Sequence, residues 1–149
     1  EPVEYRVAIP TYQRWQPVCK MSGKKRFKDC ETAFILVHTL AFLSTQRIPV
    51  ERVSLFVADA TEAENYRRAL RGSEWAEVDI VVSVLGNKNN RNFIFQYYPT
   101  GTYIVSVDDD VERIAWKFRE GITHHTLRSL PAGGFERVIF DAYRRMKEK

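Results

Sequence analysis

The stretch Thr102-Tyr103-Ile104-Val105-Ser106-Val107-Asp108-Asp109-Asp110-Val111 decides how this chain is read. Its first half is an apolar run with β-branched residues, the composition of a buried strand. Its second half is three consecutive carboxylates. Open α/β sheets bind ligands just beyond the carboxyl ends of their strands. Three carboxylates at one such end repel one another strongly unless a cation neutralises them. Hard oxygen donors suit Mg²⁺ or Mn²⁺, ions usually shared with substrate phosphates. Asp108 and Asp110 form an Asp-x-Asp, so the stretch predicts a metal and diphosphate site. The competing reading is a solvated turn; the strand before the acids and Arg91-Asn92 upstream weigh against it.

Outward from this stretch, strand and helix signals alternate, which predicts a mostly parallel sheet covered by helices. A first strand over 5–9 is stopped by Pro10. A polar, basic loop over 13–28 follows, and Asp29 or Thr32 is placed to cap a helix running to about Arg47. A second strand over 53–58 ends at Asp59. Thr61 with Glu64 reads as a capping box for a helix to about Arg71. A third strand covers 78–85. The asparagine-rich stretch 86–92 reads as a turn before a short helix over 93–98. Residues 111–118 are ambiguous between strand and helix. After Pro131-Ala132-Gly133-Gly134, the residues Phe135, Val138, Ile139, Ala142, Tyr143 and Met146 mark one face of a final helix.

With 149 residues the chain is one domain or part of one, and 44% hydrophobic residues with 13% aromatics can build a real core. No apolar run approaches the roughly 18 residues of a membrane span. No secretory signal is visible at the start, and the absence of an initiator Met reads as an excised domain or an incomplete chain. The formal charge of +4 is mildly basic and compatible with a polyanionic partner. Cys19 and Cys30 have no companions at zinc spacing, so reduced thiols in a cytoplasmic or nuclear setting are expected, with a disulfide as the minor reading.

In a parallel sheet the polar groups after strands one, two and four lie along one edge. A nucleoside diphosphate can span them. Asp59 can accept from the imide N–H of a uracil, and Arg14 or Arg91 can meet phosphate. Each has a plainer reading: Asp59 as a helix cap, and the arginines as surface charge or structural ion pairs. His124-His125 is more simply a solvated pair than a source of a metal ligand. Tyr97 and Tyr98 read as core packing rather than sugar platforms. Residues 20–28 read first as a solvated charge run, and second as a nucleic-acid contact.

The blocks Ile9-Pro10-Thr11-Tyr12-Gln13-Arg14, Val57-Ala58-Asp59, Arg91-Asn92-Phe93-Ile94 and Val107-Asp108-Asp109-Asp110 resemble the GT-A fold of nucleotide-sugar-dependent glycosyltransferases. Within that fold the chain is similar to the TET/JBP-associated glycosyltransferases, a group that includes the base J glucosyltransferase and relatives in phages and large viruses. The likeness covers about residues 5–114. It implies a Rossmann-like, mostly parallel α/β sheet with helices on both faces, forming the donor-binding half of a larger domain, with residues 1–149 as a single nucleotide-sugar-binding domain truncated at its C-terminus.

The resemblance further implies a metal-dependent hexosyltransferase using a UDP-glucose type donor with Mn²⁺ or Mg²⁺. The nucleotide-contacting set would be Pro10, Thr11, Tyr12, Arg14, Asp59, Arg91, Asn92, Asp108 and Asp109, and the metal ligands Asp108 and Asp110. The implied acceptor is a hydroxymethylpyrimidine in DNA. The family places its catalytic base after the Asp-x-Asp strand, so the base is expected beyond residue 149. The alternatives are a nucleotide-sugar-binding module or pseudoenzyme without the acceptor half, and a transferase acting on glycan or protein. A nucleotidyltransferase is disfavoured, because no Walker glycine-lysine loop appears.

Overall fold

The computed structural model describes residues 2–18, 31–120 and 124–149. Cys19, Cys30, Asp29 and the basic segment 20–28 lie outside the described residues, as do the side chains of His124 and His125.

Four strands, β1 (Arg6–Pro10), β2 (Val53–Val57), β3 (Asp79–Val82) and β4 (Ile104–Ser106), form one sheet in the order β3-β2-β1-β4. Every pairing in it is parallel, with Val7 opposite both Val53 and Val105. Parallel neighbours need crossovers. These are α1 (Phe34–Val37) with α2 (Thr39–Thr45), then α3 (Ala60–Leu70), then α4 (Asn87–Tyr97). The chain walks outward from β1 to β3 and then jumps back to the far side of β1. Beyond β4 come an antiparallel hairpin, β5 (Ala115–Glu120) and β6 (His124–Ser129), and a final helix α5 (Gly134–Lys147).

The two faces of the sheet are read from alternation along β1 and β2. Tyr5, Val7, Ile9, Val53, Leu55 and Val57 join the large core with Ile35, Leu40, Leu43, Tyr66, Leu70, Phe135 and Ile139. Ala8 and Phe56 face the other way, onto Ile94 of α4. The sheet is therefore flanked by helices on both faces, as expected. Helix α5 is tied to the first face by the Tyr5 hydroxyl donating to Glu136 Oε2 at 2.5 Å. The Tyr103 hydroxyl adds a bond to the Ile139 carbonyl at 3.0 Å. Among the described residues no helix is long and apolar enough to cross a membrane.

Several boundaries differ from expectation. The single helix expected to end near Arg47 is broken at His38, whose backbone (φ −115°, ψ −108°) leaves the helical region. There the ring stacks on Phe34 at 3.8 Å, Nδ1 lies 2.9 Å from the Phe34 carbonyl, and Nε2 lies 3.2 Å from Glu112. Helix α3 is capped by Asp59, not Thr61: Asp59 Oδ1 accepts from the Glu62 N–H at 2.8 Å. Helix α4 begins at Asn87, six residues before the expected start at Phe93. The ambiguous stretch resolves as strand from Ala115, paired with β6.

Phe56 holds the smaller cluster together. It is fully buried, with the rings of Phe93, Tyr97 and Tyr98 at centroid distances of 6.3, 5.3 and 5.9 Å. Phe56→Ala should cost about 3–5 kcal/mol of stability in urea unfolding, the usual range for emptying a buried aromatic site. A loss below about 1 kcal/mol would mean that α4 is held to the sheet by something else.

Candidate functional site

The reversal of direction at β1 makes a crevice beyond the ends of β1 and β4, where neighbouring crossovers diverge. The backbone fixes its two walls. Thr11 N–H donates to the Phe56 carbonyl at 3.0 Å, and Val107 N–H donates to the Ala8 carbonyl at 3.1 Å. The segments after β1 and β4 therefore leave the sheet side by side. A cavity of about 610 Å³ opens there. Pro10, Thr11, Tyr12 and Arg14 line it from the first segment, Asp108, Asp109 and Asp110 from the second, and Arg91 from α4.

The three aspartates do different things. Burial alternates along the chain past the end of β4: Val107 is buried, Asp108 exposed, Asp109 half-buried and Asp110 exposed. Asp109 turns inward, accepting from Thr11 Oγ1 at 2.9 Å, with Arg14 Nε at 3.5 Å. Burial raises its carboxyl above the usual value, and neighbouring Asp110 adds to that rise. The Thr11 hydroxyl, the Arg14 charge and the Tyr12 backbone N–H pull it back. Asp108 stands at the surface, paired with Arg91 through Nη2. The Asp110 side chain has no hydrogen-bond or ion-pair partner among the described residues.

Behind the aspartates lies a buried polar network. Tyr66 Oη, fully buried on α3, shares a 2.6 Å hydrogen bond with Thr11 Oγ1 and accepts from the Arg14 N–H at 3.0 Å. Burial pushes the Tyr66 hydroxyl pKa far up, so it stays a neutral anchor. Glu62 accepts from the Gln13 N–H at 2.7 Å and from Trp15 Nε1 at 2.6 Å. The Arg14 guanidinium lies 4.3 Å from the centre of the Phe34 ring. Such stacking fixes a long side chain that would otherwise sample many rotamers.

Of the sequence-derived candidates, Asp59 and Asn92 are not among the residues lining the cavity. Asp59 caps α3, and Ala58 before it reaches the cavity instead. Asn92 is exposed on α4. The earlier start of that helix explains the shift: Asn87, Asn90 and Arg91 are spaced i, i+3, i+4 and share a face, and all three line the cavity. Asn90 is buried, accepting from Ser83 Oγ at 2.7 Å and donating to the Phe56 carbonyl at 2.9 Å. Gly86 begins the helix at φ +99°, a conformation that favours glycine over residues with a side chain. Val84 and Leu85 give the cavity an apolar wall, with the exposed ring of Tyr12 also on the lining.

No protein-family model, curated protein or solved structure matches this chain. Among the described residues no three His, Cys, Asp or Glu side chains converge as a metal cage. A complete protein cage is not what Mg²⁺ requires, since it keeps several waters and takes one or two carboxylates plus substrate phosphates. Two outward carboxylates, Asp108 and Asp110, fit that mode of binding.

Two effects follow. Asp59→Ala should lower stability by about 1 kcal/mol through loss of the α3 cap, measured by urea unfolding; an unchanged midpoint would remove the cap assignment. Asp109 carries a raised value in the folded chain, so the native state holds that proton more tightly than the unfolded chain. Its contribution is fully present below the unfolded value near 3.8 and is lost as pH rises through the folded value. Wild-type stability should therefore fall relative to Asp109→Asn as pH rises above about 4. A difference between the two proteins that does not change with pH would show that Asp109 is not desolvated.

Proposed function

We propose that this chain binds a uridine diphosphate sugar with Mn²⁺ or Mg²⁺ in the β1/β4 crevice, as the donor-binding part of a GT-A type glycosyltransferase. One observation carries the reading. At the strand-end crevice of a parallel sheet, an internally tied Asp109 leaves Asp108 and Asp110 facing a cavity that Arg14 and Arg91 also line. Paired outward carboxylates with nearby guanidinium groups suit a metal–diphosphate, which brings charges of both signs.

The rest of the cavity supports a nucleoside. Val84, Leu85 and Tyr12 offer an apolar surface for a base, while Asn87 and Gln13 add polar edges. Arg91, paired with Asp108 and braced by Asn87 Oδ1 at 3.0 Å from its Nε, would move onto a phosphate oxygen and free Asp108 for the ion. When bound, the ion would neutralise charge building on the leaving diphosphate. Asp59 retains one carboxylate oxygen beyond its cap bond, and base recognition by it would have to use that oxygen.

The acceptor we propose, on the motif resemblance, is a hydroxymethylated pyrimidine in DNA. Glycan or protein acceptors and a non-catalytic binding module are the competing readings. A transfer assay offering DNA with 5-hydroxymethyluracil or 5-hydroxymethylcytosine beside glycan and protein acceptors separates them. Label in glycan or protein alone would overturn the DNA acceptor and leave the transferase reading standing.

Donor binding has its own test. Asp110→Ala should abolish the metal dependence of UDP binding in calorimetry while changing stability by no more than about 0.5 kcal/mol, as expected for an exposed side chain. Equal UDP affinity with and without metal in both proteins would overturn the site assignment.

A further inference from the structure

The turn that carries the aspartates is held by a residue outside the cavity lining. Thr39 is the first residue of α2 and is fully buried. Its hydroxyl donates to the Asp108 carbonyl at 2.5 Å and accepts from the Val111 N–H at 2.9 Å. One oxygen thus holds both ends of the aspartate run. The contact spans 69 positions of sequence to Asp108. It exists because the helix breaks at His38, so that Thr39 starts a new helix beside the turn.

We propose that Thr39 is a positioning residue for the metal–diphosphate site: by clamping the Asp108 carbonyl and the Val111 amide it sets where the Asp108 and Asp110 carboxylates point. This rests on the donor-site reading above. The physical need is mutual repulsion. Asp109 is tied from inside by Arg14 and Thr11, whereas Asp108 has the exposed Arg91 as its side-chain partner and Asp110 has none among the described residues, so the backbone between them sets their spacing. A turn free to open would let Asp108 and Asp110 separate, and a small ion that demands near-ideal octahedral geometry would lose one of its two protein oxygens. Nucleotide contacts from the apolar wall of Val84 and Leu85 do not pass through this turn. The clamp should therefore govern the metal-dependent part of binding and leave the metal-independent part alone.

The experiment compares wild type, Thr39→Val and Thr39→Ser. Valine keeps the shape and loses both hydrogen bonds; serine keeps the hydroxyl. UDP binding is measured by calorimetry with and without Mn²⁺, and hydrogen exchange is followed at the Val111 amide. In T39V the Mn²⁺-dependent gain in UDP affinity should fall by about tenfold or more, as for partners that orient metal ligands. Affinity without metal should stay within about twofold, Val111 should exchange faster, and T39S should behave as wild type. A merely structural role would lower both affinities together, and that result overturns the proposal. So does an unchanged metal gain in a T39V protein whose Val111 amide has lost protection. If T39V does not fold, a folded T39S that has lost the metal gain overturns it equally, and a T39S with the gain intact supports it. Wild type lacking any metal-dependent UDP binding removes the donor-site reading itself, an outcome distinct from a change confined to the variants.

Discussion

The hydrogen bond from Thr11 to Asp109 crosses the seam at which the sheet reverses its order. On one side of that seam lies the segment leaving β1, on the other the segment leaving β4, and the two belong to parts of the chain 98 positions apart. A parallel sheet with order β3-β2-β1-β4 necessarily opens a crevice there, because the crossovers on either side lead away from it. Burying a carboxylate in such a place is costly unless it is paired and hydrogen-bonded. Here Thr11 and Arg14 together offset part of that cost. Tyr66 in turn holds Thr11 and the Arg14 backbone, and Phe34 holds the Arg14 guanidinium. The polar interior of the site is therefore one connected set of bonds rather than separate pairs. Removing any one member would leave another buried group unsatisfied.

Much of this is legible in the sequence alone. The strand-plus-acid grammar of residues 102–111 located β4 and the crevice, and the alternation of strands and helices predicted the parallel sheet. Thr11, Tyr12, Arg14, Arg91 and the three aspartates do line one cavity. The period of two was also available in a finer sense. Continuing the alternation of β4 past Val107 places Asp109 inward and Asp108 and Asp110 outward, the arrangement observed.

What was not legible belongs to tertiary structure. Nothing local marks His38 as a helix break: the sequence around it favours helix, and its stacking on Phe34 with Glu112 beyond is a matter of packing. Thr39 looked like an ordinary helical residue for the same reason, since its partners lie 69 and 72 positions away. Asn90 was missed through register. The run Asn87-Lys88-Asn89-Asn90 has turn composition, and asparagine is a poor helix former. Once Gly86 starts the helix and Ser83 and Phe56 satisfy the Asn90 amide, the face that meets the cavity is Asn87, Asn90 and Arg91, not Asn92. Asp59 fits two readings in the sequence, a helix cap and a base contact, and the structure forms the cap.

The site also resolves a conflict that composition alone poses. A chain with formal charge +4 concentrates three negative charges at one turn. Two arginines answer them, but in different ways. Arg14 is pinned by Asp109 and Phe34, half-buried, and is committed to the fold. Arg91 stands on a helix surface, braced by Asn87, and its partner Asp108 is exposed. An exposed pair is worth little in high dielectric, about 0–1 kcal/mol, so exchanging it for contacts with an ion and a phosphate costs little. The division follows from depth. The inner pair belongs to the buried hydrogen-bonded set behind the crevice, and the outer pair is weak enough to be given up to a ligand that offered both partners something stronger.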